Sequence, residues 1–181
     1  MLVKTKAIVI STLKFQEKSL IVKCFTQSHG LKSYFVRNAF SGKKNNQKIA
    51  YFQPLSILEI EAVHKNKGTL EHFKEIKTAI PFQTIHLDIV KSTMVLFLSE
   101  ILHHAIHEEE QNEDLFKYLE TALQWLDTHN ETSNFHLILM LEITKYLGFY
   151  PDVSEMEFPF FDTNEGVFTP FHGLGSLTEH E

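Results

Sequence analysis

"PLSILEIEAV", Pro54 to Val63, decides the fold. Leu58, Ile60 and Ala62 fall on one face and Glu59 and Glu61 on the other, the period of two of a half-buried strand. Toward the N-terminus, three stretches share its composition: Lys4–Leu13, Leu20–Thr26 and Leu31–Val36 are rich in β-branched and aromatic residues and read as strands. "SHGLK" is a turn between the second and third, with Gly30 free to take a positive φ. Toward the C-terminus "HKNKG" is another turn. "TLEHFKEIK" then closes the region as a less regular strand, because Leu70, Phe73 and Ile76 are spaced by three. Five strands with no helix-length pattern between them predict a small barrel over residues 1–80.

Beyond Pro81 the period changes. His86–His107 carries apolar residues at helical spacing and is apolar almost all round through Met94–Leu98, which predicts a central buried helix. A second helix starts at Asn112 or Glu113 and runs through Leu126. "THNETSN" breaks it, and a third runs from Phe135 to Leu147, with Gly148 as its C′ residue and Pro151 as a stop. The last thirty residues, rich in Phe, Pro and Gly, read as irregular. The fold class is therefore α+β, a five-stranded barrel over 1–80 followed by a helical domain over 81–181 that is expected to continue past residue 181.

Charge divides along the same line. Residues 1–80 hold thirteen Lys and Arg37 against five Glu, a formal +9; residues 81–181 hold three Lys against eighteen acids, −15; together they give the net −6 of the chain. Such asymmetry implies two units with different partners. The basic residues concentrate in "HGLKSYFVRNAFSGKKNNQK", His29 to Lys48, where Lys32, Arg37, Lys43, Lys44 and Lys48 are laced with Tyr34, Phe35 and Phe40 and no carboxylate intervenes. Single-stranded nucleic acid is bound by cations that follow the backbone and by aromatic faces on which bases stack. Barrels of the OB type do this with one sheet face and its loops. On a strand, Lys32 and Tyr34 share one face and Phe35 and Arg37 the other, so one pair must point inward. The alternatives to DNA contact are core packing for the aromatics and a solvated tether for the lysines.

Other chemistries lack their residues. Cys24, the single cysteine, lies in an apolar strand and reads as a core thiol; it allows no internal disulfide or multi-Cys zinc site, and fits a reducing cytoplasm. Glu100-x-x-His103 and the pair His103/His107 have ligand spacing on a helix, but a di-iron bundle needs a second such motif, so no metal or other cofactor is expected. There is no phosphate-binding Gly-rich loop and no Gly-x-Ser-x-Gly, so no enzyme is expected. "MLVKTKAIVIS" has only a four-residue apolar run, short of a secretory signal, and "MVLFLSEILHHAI" is broken by Glu100 and two His, so no membrane association is expected.

"FQEKSLIVKCFTQSHGLKSYFVRNAFS", then "FQPLSILEIEAVHKNKGTLEHFKEIK", then "YLGFYPD" after the last helix together resemble the RecO family of recombination mediators. The match rests on Phe25-Thr26-x-x-x-Gly30, a strand ending in a basic residue, a Ser/Lys-rich loop, and Leu147-Gly148-x-x-Pro151, and it covers nearly the whole chain in order. The resemblance implies an N-terminal OB fold, a helical C-terminal domain, and a cytoplasmic, nucleoid-associated role in bacterial DNA repair. The implied activity is to bind and anneal single-stranded DNA and to assist RecA loading onto strands coated by single-strand-binding protein, with RecR as partner. It carries the strand-end cation to Arg37 and the loop cations to Lys43 and Lys44. Where many members have Gly-Ala-Arg after that cation, this chain has Asn38-Ala39-Phe40. Where many have a four-Cys zinc site after Leu-Gly-x-x-Pro, it has no Cys. The family's contact with the acidic tail of single-strand-binding protein meets a −15 half in which only Lys91, Lys117 and Lys145 could help. The alternative from the residues alone is a non-catalytic adaptor whose basic barrel docks an acidic protein.

Overall fold

The computed structural model describes residues 1–40, 49–65, 70–107 and 111–178. Five strands come first: β1 (Leu2–Phe15), β2 (Ser19–Thr26), β3 (Gly30–Val36), β4 (Ile57–Val63) and β5 (His72–Ile80). They form one antiparallel sheet in the order β3-β2-β1-β4-β5. Alternation buries Val22 and Cys24 from β2, Tyr34 from β3, and Leu58, Ile60 and Ala62 from β4 in one cluster. Burial of the Cys24 thiol pushes its pKa up, as suits a core residue. The Thr26–Gly30 turn has its own logic: the Thr26 hydroxyl accepts from the His29 N–H at 3.1 Å and donates to the Gly30 carbonyl at 2.8 Å, while Gly30 takes φ +62°.

The edges β3 and β5 are not joined by a continuous ladder. One parallel bridge, Tyr34 with Glu71, brings them together, with Phe35 N donating to Glu71 O at 2.9 Å and Glu71 N to Ser33 O at 2.8 Å. The expected barrel is thus a strongly curved sheet pinned at one point, the partly open arrangement of OB folds.

Three helices follow: α1 (Ile89–Ala105), α2 (Glu113–Thr128) and α3 (Phe135–Leu147). Asp88 caps α1 by accepting from Val90 N and Lys91 N, and Asn112 caps α2 by accepting from Leu115 N. Gly148, at φ +82°, ends α3, and the Phe149 N–H donates back to Thr144 O, six residues to one. The expected central buried helix, α1, is buried along one face only. Met94, Val95, Leu98 and Leu102 are buried, while Ile89, Val90, Leu96 and Phe97 are exposed. The last segment is not wholly irregular either. Residues β6 (Phe160–Asp162), β7 (Val167–Thr169) and β8 (Ser176–Thr178) pair in the order β7-β6-β8, with Phe161 set edge-on to Phe168 at 5.1 Å. Strands of three residues carry too short an alternation to be read from sequence.

The chain divides into compact units Met1–His136 and Leu137–Glu181. Within the first, the sheet sits on α2: Phe25 and Phe116 rings lie 6.0 Å apart, and Lys6 pairs with Glu120 at 2.7 Å. The connection between β5 and α1 is held by one carboxylate. Asp127, at the end of α2, accepts from the backbone N–H groups of Gln83, Thr84 and Ile85 at 2.7–3.0 Å. The buried Lys91 amine donates to Thr84 Oγ1 and to Asp127 O.

Candidate nucleic-acid interface

The bridge between β3 and β5 settles which face of β3 points inward. Tyr34 is fully buried, its hydroxyl 2.8 Å from His64 Nε2 and its ring stacked on Phe73 at 4.2 Å. His64 is held in turn by Met1, whose amino group donates to His64 O at 2.6 Å and whose carbonyl accepts from His64 N. The buried Glu71 carboxylate accepts from Lys65 N at 2.8 and 3.0 Å. Burial lowers the pKa of His64 and raises that of Tyr34, so both stay neutral at pH 7. Tyr34, a candidate base-stacking residue from the sequence, is therefore a core residue that offers no face to a ligand. Lys32 shares its side of the strand and is half-buried.

With Tyr34 inside, Phe35 and Arg37 point out. Phe35 meets Phe15 edge-on at 6.0 Å and His72 edge-on at 6.2 Å, and the Arg37 guanidinium lies 6.0 Å from its ring centre. Asn38 takes φ +53°, the left-handed conformation that Asn tolerates better than most residues, and turns the chain toward Phe40. Phe40 is 41% exposed, with Lys14 Nζ 5.5 Å from its ring centre. Phe15, Phe35, Arg37 and His72, from the ends of β1 and β3 and the start of β5, thus share one outer face. Lys14 and Phe40 form a separate cation–ring pair at the end of the sheet, since Lys14 lies opposite Leu20, and Leu20 opposite Val36, in the core-facing row. Lys43, Lys44 and Lys48 lie outside the described residues. Lys14, Phe15 and His72 were not found from the sequence, because they come from strands distant in the chain and no local motif marks them.

A different outer face is electrically closed. Lys4 faces Glu59 at 3.8 Å, Lys74 pairs with Glu61, and Lys77 pairs with Glu75 at 2.8 Å, an alternation across β1, β4 and β5. These three carboxylates, with buried Glu71, are four of the five in residues 1–80; the fifth is Glu17 in the β1–β2 turn. The positive surplus is therefore concentrated away from that ladder.

In the helical part, Lys117 is tied to Glu113 at 3.0 Å, Lys145 to Glu142 at 2.7 Å, and Lys91 is buried. An open groove of about 590 Å3 runs beside α1, lined by Ile89, Val90, Thr93, Met94, Phe97, Ser133 and His136. Beside the Glu100–His103 spacing, it is His104 that meets Glu100, at 3.0 Å.

A five-stranded OB-type sheet followed by helices defines a fold class, that of the OB-fold proteins. Two models of one family match this chain, the recombination protein O N-terminal domain over residues 1–82 and the recombination protein O C-terminal domain over residues 86–180. The chain belongs to the RecO family of DNA repair proteins. It is 73% identical to the DNA repair protein RecO of Flavobacterium psychrophilum and 76% identical to that of Flavobacterium johnsoniae, in each case over all 181 residues and 76% of the relative. It is 39% identical to that of Phocaeicola vulgatus over 96% of this chain and 73% of the relative. Its role lies in DNA repair and recombination. Among the described residues no helix is long and apolar enough to cross a membrane.

Proposed function

We propose that this protein is a non-enzymatic mediator that binds and anneals single-stranded DNA and helps RecA displace single-strand-binding protein, with RecR as partner. The observation that supports this most directly is the outer face of the sheet, where Phe15 and Phe35 lie beside Arg37, with the separate Lys14–Phe40 pair at the sheet end, while the neighbouring β1–β4–β5 face is charge-compensated. Bases would stack on the rings, and Arg37, Lys32 and the loop lysines Lys43, Lys44 and Lys48 would neutralise phosphates. Annealing follows from this chemistry, since contacts to phosphate and to base faces leave Watson–Crick edges open to a complementary strand. The DNA-binding domain is 1–80 and the protein-docking domain begins at 81, working in the bacterial cytoplasm at the nucleoid.

Docking on the helical part is proposed to rest on the apolar groove beside α1 rather than on charge, because Lys91, Lys117 and Lys145 are already engaged. The acidic tail of single-strand-binding protein should accordingly bind weakly. The rival, an adaptor for an acidic protein, has no observation of its own beyond the same positive face. An annealing assay with complementary oligonucleotides, free and coated by single-strand-binding protein, decides between them. Acceleration of annealing in both is expected. Failure to bind or anneal bare strands at low salt overturns the proposal.

A further inference from the structure

Just past the Tyr34–Glu71 bridge, β3 and β5 part, and the gap between them is a cleft of about 250 Å3. It is lined by Phe35, Tyr51 and Phe73, the last already stacked on Tyr34 and Phe52, and by Arg37, Lys74 and Glu75. The β-ladder shows what opens it. From Glu61 to Ala62, β4 advances one residue while its partners on β5, Glu75 and Phe73, are two apart. Lys74 is thus the extra residue of a β-bulge. A bulge bends its strand and re-aims a side chain, and such features concentrate beside binding sites. Here it falls where β5 leaves β3, so departure of the strand and placement of a lysine at the cleft have one cause.

Resting on the reading of this protein as a single-strand binder, we infer that the cleft receives one unstacked nucleobase. Size limits the occupant: the volume lies just below the ~300–1,000 Å3 of pockets for drug-sized ligands, so one ring system enters and a stacked pair does not. Shape and chemistry favour a base, whose flat faces match aromatic walls and whose edge carries both donors and acceptors. Arg37 supplies donors, while the charged ends of Lys74 and Glu75, which also line the cleft, are paired with Glu61 and Lys77. Both are thus oriented before a ligand arrives. The cleft adjoins the exposed face through Phe35 and Arg37, so a strand lying on that face can turn one base inward without leaving it. A strand with a base anchored in this way is held in register while its other bases remain open for pairing.

The test uses thymidine oligonucleotides bearing one 2-aminopurine, bound to the intact chain, with affinity followed separately by anisotropy. Emission should fall severalfold on binding, as stacking on the cleft rings quenches it. Tyr51→Leu and Lys74→Ala should each recover much of the emission while affinity falls by roughly tenfold or less, the scale of one base–aromatic contact. A parallel measurement needs no substitution: an oligonucleotide of 5-iododeoxyuridine should photo-cross-link to Tyr51, and not to Phe35 of the exposed face alone, when mapped by mass spectrometry. Tight binding with quenching unaltered by both variants, or cross-links found only elsewhere, overturns the base cleft and leaves single-strand binding intact. Absence of any oligonucleotide binding by the unmodified protein overturns both.

Discussion

Tyr34 carries its hydroxyl to His64 inside the sheet, while its neighbour Phe35 turns outward to Phe15 and His72. The two therefore fail differently when altered. Tyr34→Phe leaves His64 Nε2 buried without its partner and should cost about 1–3 kcal/mol, read as a lower urea midpoint, with oligonucleotide affinity unchanged below the transition. An equal loss of affinity in Tyr34→Phe would return that ring to the binding surface. His64 adds a pH dependence. Burial lowers its pKa, His29, Lys32 and the Met1 amino group push the same way, and Glu71 opposes them. The unfolded chain takes up the proton first, so stability should hold above about pH 6.5 and decline as the pH falls below it. In His64→Gln that decline should be shallower, the remaining slope coming from His86 and His103, whose pKa values burial also lowers. A decline of the same steepness in the variant would show that His64 is not its source.

At the scale of elements, β5 shows why part of the fold was hard to read. Leu70, Phe73 and Ile76 are spaced by three, which is no strand period, yet residues 72–80 pair with β4 throughout. The bulge at Lys74 and a second register step between Leu58 and Ile57 each add a residue and reset the alternation, so a real strand loses its sequence signature. β4 has no extra residue, and its period of two was legible. Alternation alone also could not tell which face of β3 was inner; that needed His64 and Glu71, thirty or more residues away. The α1 pattern misled for another reason. Its apolar run predicts a central buried helix, but Ile89, Val90 and Phe97 line an open groove instead. The Asp127 clamp was invisible because its partners are backbone N–H groups, which no side-chain pattern announces. Burial alone would raise the pKa of Asp127, but the N–H groups of Gln83, Thr84 and Ile85 and the Thr84 hydroxyl outweigh it and hold it below the usual Asp range. Asp127→Asn should therefore lower stability by ~3 kcal/mol at neutral pH. The gap between the variant and the unmodified chain should persist down to about pH 4 and close below it, as the carboxylate itself becomes protonated. Thermal melting across that range tests the clamp, and equal melting temperatures at pH 7 would refute it.

Taken whole, the molecule separates its charge, and the separation sets how it should respond to salt. The +9 of residues 1–80 is not spread evenly, because Lys4, Lys74 and Lys77 are matched by Glu59, Glu61 and Glu75. Among the cations left for a polyanion are Arg37, Lys14, Lys32 and the lysines of the 41–48 segment. Each phosphate neutralised on a single strand steepens log K against log salt by about 0.7. Replacing Lys43 and Lys44 together by Ala should thus weaken binding and flatten the slope by about 1.4. Base preference should hardly move, since phosphate contacts position a strand and do not read it. Lys77→Ala should leave the slope nearly as it was, because that charge already answers Glu75; Lys117→Ala, in the acidic half, should do nothing. Phe40→Ala separates stacking from charge. Its ring is 41% exposed, so the loss should appear as roughly 1–3 kcal/mol of affinity at unchanged slope and with little change in melting temperature. Salt titrations of oligonucleotide binding across these four variants distinguish a surface built of rings and cations from a diffuse positive field. In a diffuse field Lys77→Ala would flatten the slope as much per charge as the loop pair does, and Phe40→Ala would have no effect.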